Sequence, residues 1–271
     1  MVNIIISRKG FDSCAGGCAS PIMPDGKTIV SLPIPGDDYS KQSYEGLIEQ
    51  SSGKNYHQII HELKPTCAVN LNHCHLDPDI NPDLHHEKDW TPIFGQEGGA
   101  EGILENNSVK EGDIFLFFGW YRGTVDDNGK LRYAVKKDDL DFYHYSNIHM
   151  MFGHLTVKEI VRDPEEMMER FPWHPHAERH QLFRNNTMYV GDRKSSGVLS
   201  FDEKRVLTKA GRSRSIWDYE KLSWMKEDQS KISMKPVHDE NTVRFIGRWQ
   251  ELIIRNAGES CLAWVDDVIK N

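Results

Sequence analysis

Apolar residues recur along the chain in short runs typical of β-strands. Residues 2–7 form one such run, which stops at a pair of cations. The strongest run spans residues 114–120 and is almost continuously apolar and aromatic, which predicts a central strand buried on both faces. A third run covers residues 148–160 and is interrupted at Gly153, as in a bulged or bent strand.

Segments with helical spacing of apolar residues accompany these strands. They cover residues 39–63 (as one or two helices), 95–107, 164–171 and 261–269. This irregular mixture indicates an α+β protein with a curved mixed β-sheet or a small barrel, flanking helices and long ordered loops. Because the chain has no internal repeat and no long Gly/Ser linker, residues 1–271 are expected to form a single domain.

Composition excludes several classes of protein. Of the 271 residues, 38% are hydrophobic and 27% charged, which is ordinary for a globular protein. No apolar run reaches the roughly 18 residues of a membrane span, and the first apolar run is too short for a signal peptide. Five cysteines, an odd number without a secretion signal, favour free thiols or metal ligands in a cytoplasmic protein without membrane contact. The net charge of −8 argues against a strongly basic nucleic-acid coat but allows a local basic groove.

The most unusual polar stretch lies between residues 64 and 93. Prolines interrupt it, so it is predicted to be an ordered loop that carries polar function. His73, His75, Asp77 and Asp79 follow one another at every second position, and an extended segment would place all four on one face. A second His-x-His pair could form the opposite wall of the site. The candidate catalytic residues are His75, Asp77, Asp79, His174 and His176.

Two chemistries and one structural role fit this loop. Imidazoles and carboxylates close together suit a divalent transition metal such as zinc, iron or manganese, with His73, His75 and Asp77 as candidate ligands. Without a metal, His75 oriented by Asp77 or Asp79 forms a general acid–base pair, which is the preferred interpretation by a small margin. In the structural alternative, the aspartates cap turns and backbone carbonyls satisfy the histidines. The cofactor stays unknown at this point.

Candidate phosphate ligands follow the first apolar run. Ser7, Arg8 and Lys9 lead into a loop with several glycines, so this strand end can present cations and backbone N–H groups to a phosphate. Asp12 belongs to the same loop. The alternative is a structural turn in which Arg8 and Asp12 form an ion pair.

Two further segments offer nucleotide contacts. The basic, serine-rich loop at residues 208–217 contains Arg212 and Ser213, which could hold phosphate groups. Near the C-terminus, Gln250 and Glu251 place an amide beside a carboxylate, a combination that can bind ribose hydroxyls.

The aromatic run also offers a surface for a base. Most of its side chains must belong to the core. Trp120, Tyr121 and Arg122 follow at the predicted strand end and could leave the core to stack on a base. Plain packing, with Arg122 in solvent, is the alternative.

Short motifs in collinear order carry a family resemblance. They are residues 7–13 (SRKGFDS), 16–17 (GG), 20–22 (SPI), 25–26 (DG), 31–35 (SLPIP), 75–79 (HLDPD), 94–96 (FGQ), 112–119 (GDIFLFFG), 174–176 (HPH), 186–190 (NTMYV) and 247–251 (GRWQE). Together they resemble the nucleotide modification associated domain of the third type over nearly the whole chain. A weaker resemblance, at residues 110–113 and 152–155, is to PUA and EVE barrels, which hold a modified or flipped base in an aromatic pocket.

The resemblance implies a role in nucleotide or DNA modification. We therefore expect an enzyme that modifies a nucleobase or nucleotide, with DNA as the favoured partner and acid–base or metal-assisted chemistry in the His/Asp loop. The alternative is a non-catalytic, PUA-like reader of a modified base or a free nucleotide. The sequence leaves the base, the donor group, the choice between DNA and RNA, and the oligomeric state open.

Overall fold

A curled mixed β-sheet forms the centre of the computed structural model, which describes residues 1–67, 69–84, 89–227, 232, 237–238, 241–245 and 251–270. The described strands are β1 (Ile4–Arg8), β2 (Ser20–Ile22), β3 (Ile34–Pro35), β4 (Cys74–His75), β5 (Ile93–Gln96), β6 (Ile114–Asp127), β7 (Lys130–Tyr133), β8 (Ile148–Val161), β9 (Thr187–Val198), β10 (Ile216–Asp218), β11 (Val237–His238), β12 (Thr242–Arg244) and β13 (Glu251–Ile254). The large sheet has the order β13-β1-β6-β8-β9-β5, and β2 and β7 also pair with β6. The predicted α+β class with a curved mixed sheet is therefore confirmed.

Strand β6 organises the sheet because its first half is buried on both faces, as predicted. Leu116 and Phe118 belong to the apolar cluster on one face, whereas Phe115 and Phe117 belong to the cluster on the other. The strand runs parallel to β1 and antiparallel to β8. The register between β6 and β8 shifts next to Gly153, which confirms the irregularity predicted there.

The helices among the described residues flank this sheet. They are α1 (Tyr56–Leu63), α2 (Gly98–Asn106), α3 (Phe142–Tyr145), α4 (Pro164–Arg170) and α5 (Glu259–Ile269). The helices predicted over 95–107, 164–171 and 261–269 are thus confirmed within a few residues. Within the described part of the chain, no helix combines the length and apolarity that crossing a bilayer requires.

The helix predicted over residues 39–63 is wrong in its first half. Asn55 has an extended backbone and forms a capping box with Gln58, so α1 begins at Tyr56. Ahead of it, turns and a bridge between Ile48 and Asn55 replace the helix.

Several chain segments end at one place in the fold. Strand β1 ends at Arg8, β4 ends at His75, and β5 ends at Gln96 just before α2 begins. The turn at residues 174–176 follows α4 and reaches the same place. Polar side chains that are distant in sequence therefore line a common cleft.

Candidate functional site

The cleft has a volume of about 500 Å³. Cations from β1 and its following loop form one side, and the first residues of α2 form another. Imidazole and carboxylate groups contribute a third side. Its polar lining includes Arg8, Lys9, Asp12, Asp37, His75, Asp77, Gln96, Glu97, His176 and Arg179.

Three ligand-type side chains converge in this cleft. His75, Asp77 and His176 each offer one atom, and these atoms all lie within 4.8 Å of one another. The Nε2 atoms of the two histidines are 3.2 Å apart. Within the described ranges, this is the one group of three or more His, Cys, Asp or Glu side chains with metal-binding proximity.

The local chain path explains why His75 and Asp77 both face the cleft. His75 is held in β4 by its pairing with Ile34 of β3. The N–H of Asp77 then donates to the carbonyl oxygen of His75 at 2.8 Å, so the chain turns instead of staying extended.

The expectation that His73 and Asp79 share the face of His75 and Asp77 is therefore wrong. His73 is exposed to solvent and lies outside the cleft lining. The buried Asp79 carboxylate accepts a hydrogen bond from Trp90 Nε1 at 3.0 Å, and its backbone pairs with Ile93. Asp79 therefore makes a structural contact with Trp90 and lies outside the cleft lining.

Burial and neighbouring charges set the protonation states of the cluster. Burial lowers the pKa of His75 well below its usual value, and the charge of His176 lowers it further. Burial likewise lowers the pKa of His176 to about 4. For Asp77, burial raises the pKa, but the nearby His174 imidazole and the charges of His176 and Lys9 bring it down to about 2. Near neutral pH, two neutral imidazoles therefore face one ionised carboxylate.

Surrounding groups hold these side chains in place. The Nδ1 of His176 donates to Asn186 Oδ1 at 2.7 Å, which directs the unprotonated Nε2 into the cleft. Asn186 in turn donates from its Nδ2 to the carbonyl oxygen of His176 at 2.7 Å.

The Asp77 carboxylate is held from a second direction. The N–H of Gly95 donates to Asp77 Oδ1 at 2.7 Å, and the buried His174 places Nε2 3.5 Å from the same oxygen. The Nδ1 of His174 accepts the backbone N–H of His176 at 3.2 Å. Residue 95 must be glycine because a Cβ there would lie 2.2 Å from the His176 ring.

The cationic side of the cleft continues from β1. Lys9 Nζ lies 3.5 Å from Glu251 Oε1 and 4.4 Å from the centroid of the Phe94 ring. The buried Glu251 also accepts hydrogen bonds from Gln96 Nε2 at 2.7 Å and from Ser7 Oγ at 3.4 Å. Ser7 and Lys9, two of the predicted phosphate ligands, therefore contact Glu251, a predicted ribose ligand. Gln250, the other predicted ribose ligand, lies outside the described residues.

The side of the cleft formed by the start of α2 also contains an ion-pair clamp. Arg179 donates to both carboxylate oxygens of Glu97 at 2.5 Å and to Asp37 at 2.5 Å. Residues 98–100 begin α2 and line the cleft, so the positive end of this helix faces the site.

Arg8 and Asp12 lie at the candidate site and also form the ion pair that the structural alternative predicts. Both line the cleft, and Arg8 Nη2 lies 3.5 Å from Asp12 Oδ2. Asp12 Oδ1 accepts hydrogen bonds from the backbone N–H groups of Cys14 and Ala15, each at 2.7 Å. Asp12 therefore shapes the loop, while the guanidinium of Arg8 borders the cleft.

The aromatic set does not form a base-stacking platform at a strand end. Strand β6 continues to Asp127, so Trp120, Tyr121 and Arg122 lie within it, contrary to the prediction. Tyr121 is buried and its hydroxyl lies 2.5 Å from Ser31 Oγ. Arg122 donates to the carbonyl oxygen of Ala134 at 2.7 and 3.2 Å.

The face of Trp120 is covered by the neighbouring basic loop. The Arg214 guanidinium lies 4.0 Å from the centroid of the Trp120 ring, and Trp120 Nε1 donates to Asn147 at 2.8 Å. Arg212 and Ser213 are exposed in this loop and do not belong to the cleft lining.

Sequence reasoning assigned no role to Asn186, Gln96, Glu97, Gly95 or Arg179. Their positions depend on the pairing of β5 with β9 and on the turn after α4, neither of which leaves a local pattern. The family motifs at residues 94–96 and 186–190 were the available signal, since they contain three of these five residues.

The family described as nucleotide modification associated domain 3 matches residues 3–257, and the chain belongs to this family. The predicted family is therefore confirmed, and with it an association with nucleotide modification. No curated protein and no solved structure matched the chain.

Proposed function

We propose that this protein is an enzyme that modifies a nucleobase or nucleotide, with DNA as the preferred substrate, and that it uses a divalent transition metal. His75, Asp77 and His176 would hold the metal. The observation that carries the proposal is the convergence of their ligand atoms within 4.8 Å in a cleft that also contains cations. Two imidazoles and one carboxylate form a metal-binding set that leaves coordination positions open for substrate.

The geometry of the two imidazoles supports a metal. Nitrogen ligands about 2.1 Å from a common ion lie roughly 2.9–3.4 Å apart at the angles of octahedral or tetrahedral coordination. The His75 and His176 Nε2 atoms are 3.2 Å apart. The lowered pKa values keep both rings neutral and Asp77 ionised, which is the state that metal ligands require.

The same pKa values weigh against metal-free acid–base catalysis. A general base works best when its pKa is near the working pH, and burial moves the pKa of His75 and His176 well below neutrality. A bound metal would polarise a substrate oxygen or lower the pKa of a bound water. The protein's own part is then to orient the ligands through Asn186, His174 and Gly95.

The remaining sides of the cleft support a nucleotide as substrate. Arg8 and Lys9 supply positive charge, and α2 points its N-terminal end at the same space. Outside the cleft, Arg214 donates to Ser13 Oγ at 2.5 Å, so a second guanidinium lies beside the loop that follows β1. An arginine at this position can contact a further phosphate of a strand, which favours DNA over a free mononucleotide.

Metal analysis tests the proposal. The protein is purified without chelator or histidine tag and its metal content is measured by mass spectrometry for wild type, His75→Ala and His176→Ala. We expect near-stoichiometric zinc, iron or manganese in wild type and its loss in both variants. His73→Ala is the matched control because this exposed histidine lies two residues from His75, and it should keep the metal. Equal metal content in all four proteins would refute the proposed ligands.

Substrate assays separate the enzyme from a reader. Metal-loaded protein is incubated with single-stranded DNA, duplex DNA, RNA and mononucleotides, and the products are analysed by nucleoside mass spectrometry. A new modified nucleoside that disappears with Asp77→Asn supports the enzyme. If DNA binding is instead abolished by Trp120→Ala and insensitive to Asp77→Asn, the protein is a reader.

A further inference from the structure

A second cavity, of about 410 Å³, adjoins the cleft and shares only Gly10 and Asp77 with the cleft lining. Its lining is richer in apolar side chains, including Ile29, Leu76, Ile80 and Phe152. Its volume lies within the roughly 300–1,000 Å³ of small-molecule sites. We propose that this cavity binds the nucleobase of the substrate while the cleft binds its phosphate.

The two spaces share parts of their walls. Gly10 and Asp77 line both the cleft and the apolar cavity. Gly10 has a positive φ of 77°, and a Cβ at this position would lie 2.9 Å from the carbonyl oxygen of Leu32. Gly10 and Asp77 therefore lie where the two spaces meet, and Asp77 belongs to the candidate metal group.

The distribution of chemistry across this partition matches the two ends of a nucleotide. Cations and the start of α2 lie on the cleft side, where a phosphate is favoured. Apolar surface with a few polar groups, among them Ser31 and Asn81, lies on the other side, where a flat heterocycle can be buried and its edge bonded. In a nucleotide bound in this way, the sugar that joins the base to the phosphate would lie next to Asp77. This inference rests on the proposed function for the identity of the ligand.

Filling the cavity tests the inference without reference to catalysis. Ile48 and Val198 line the cavity and are 37% and 40% exposed, so bulk can be added at both positions with little strain on the core. The test variant is Ile48→Trp/Val198→Trp. The control is Leu140→Trp/Met168→Trp, whose sites are 37% and 38% exposed and lie outside the linings of both cavities.

The probes differ by the base alone. Calorimetry compares each deoxynucleoside 5′-monophosphate with 2-deoxyribose 5-phosphate. In wild type and in the control variant, at least one monophosphate should bind roughly tenfold or more tightly than the sugar phosphate. In the filled variant that preference should vanish, while binding of the sugar phosphate stays within about twofold.

Two outcomes overturn the inference. One is a wild type that binds the sugar phosphate as tightly as every monophosphate, and the other is a filled variant that keeps the wild-type preference. Neither outcome depends on a metal, so this inference can fail while His75 and His176 still bind one. Conversely, if the protein binds no metal, the difference in affinity between a monophosphate and the sugar phosphate can still be measured.

Discussion

Histidines occupy two different settings in this protein. His75 and His176 lie in the cleft beside Asp77, whereas His149 lies in β8 within an aromatic core. Trp217 Nε1 donates to His149 Nδ1 at 3.1 Å. Burial lowers the pKa of His149 to about 3, much as it lowers the pKa values of the two cleft histidines.

The difference lies in what surrounds each ring. His149 has a tryptophan N–H as its partner, and the rings of Phe118 and Phe245 pack against it. The cleft histidines face each other and a carboxylate, with solvent-accessible space beside them. A lowered pKa therefore reports burial in both regions, and the convergence of ligand atoms at an open cleft marks the candidate site.

The largest effect is expected from breaking the cleft cluster at its carboxylate. Asp77→Asn removes the anionic ligand, so the affinity for Mn²⁺ or Zn²⁺ should fall by roughly a hundredfold or more in calorimetric titrations. Asp79→Asn is the matched control two residues away, because Asp79 bonds Trp90 instead of facing the cluster. Equal losses in both variants would contradict the distinction drawn between these aspartates.

A smaller loss is expected from the support of His176. Asn186→Ala removes the acceptor that orients the imidazole, so metal affinity should fall about tenfold to a hundredfold with His176 still present. Asn185→Ala provides the control, since Asn185 bonds the carbonyl oxygen of Gly98 at 2.6 Å. Unchanged affinity in Asn186→Ala would show that this hydrogen bond does not position His176.

The core histidine should affect stability and leave metal binding alone. His149→Leu leaves the buried Trp217 N–H without its acceptor, so the free energy of unfolding should fall by about 2 kcal/mol in urea titrations. Metal affinity should stay at the wild-type value. If the metal affinity of His149→Leu fell as far as that of His176→Ala, the distinction between the core histidine and the cleft histidines would be wrong.

The smallest expected effect concerns a buried acid in α2. Burial raises the pKa of Glu101 to about 7, and Tyr189 donates to both of its oxygens at 3.1 and 2.9 Å. Because the folded state holds this proton more tightly than the unfolded state, the contribution is fully present at low pH and is lost as pH rises through about 7.

The pH dependence of unfolding checks this sign. As the pH rises from about 5 to 7, the change at Glu101 should lower the free energy of unfolding by roughly 1–2 kcal/mol. Glu101→Gln should remove this pH dependence. Glu111→Gln is the control, at an exposed position beyond the end of the helix. Identical pH profiles for wild type and Glu101→Gln would show that the folded pKa of Glu101 is not raised.

Much of the fold could be predicted because its strongest signals are local. The apolar run of β6 and the interruption at Gly153 each report their own surroundings. The start of α1 was missed because the cap at Asn55 outweighs apolar spacing further back in the chain. Alternation in the His/Asp loop likewise failed after His75, where a turn replaces the extended backbone.

Part of the candidate site could be predicted from the sequence. The spacing of His75 and Asp77 drew attention to one wall, and the second His-x-His pair to the other. The contact between His75 and His176 joins residues 101 positions apart, and no local pattern encodes it. Gly95 and Asn186 act through backbone proximity and a single hydrogen bond, which composition and periodicity do not report.

The position of β1 has a consequence for how the chain folds. This strand lies between β6 and β13, and its Ser7 pairs with Glu251, 244 residues away. During synthesis, one edge of β1 must stay unpaired until β13 has emerged from the ribosome, and an open strand edge promotes aggregation. Contacts of such long range also slow folding. The contacts that join Lys9 and Gln96 of the cleft lining to Glu251 are therefore among the last to form.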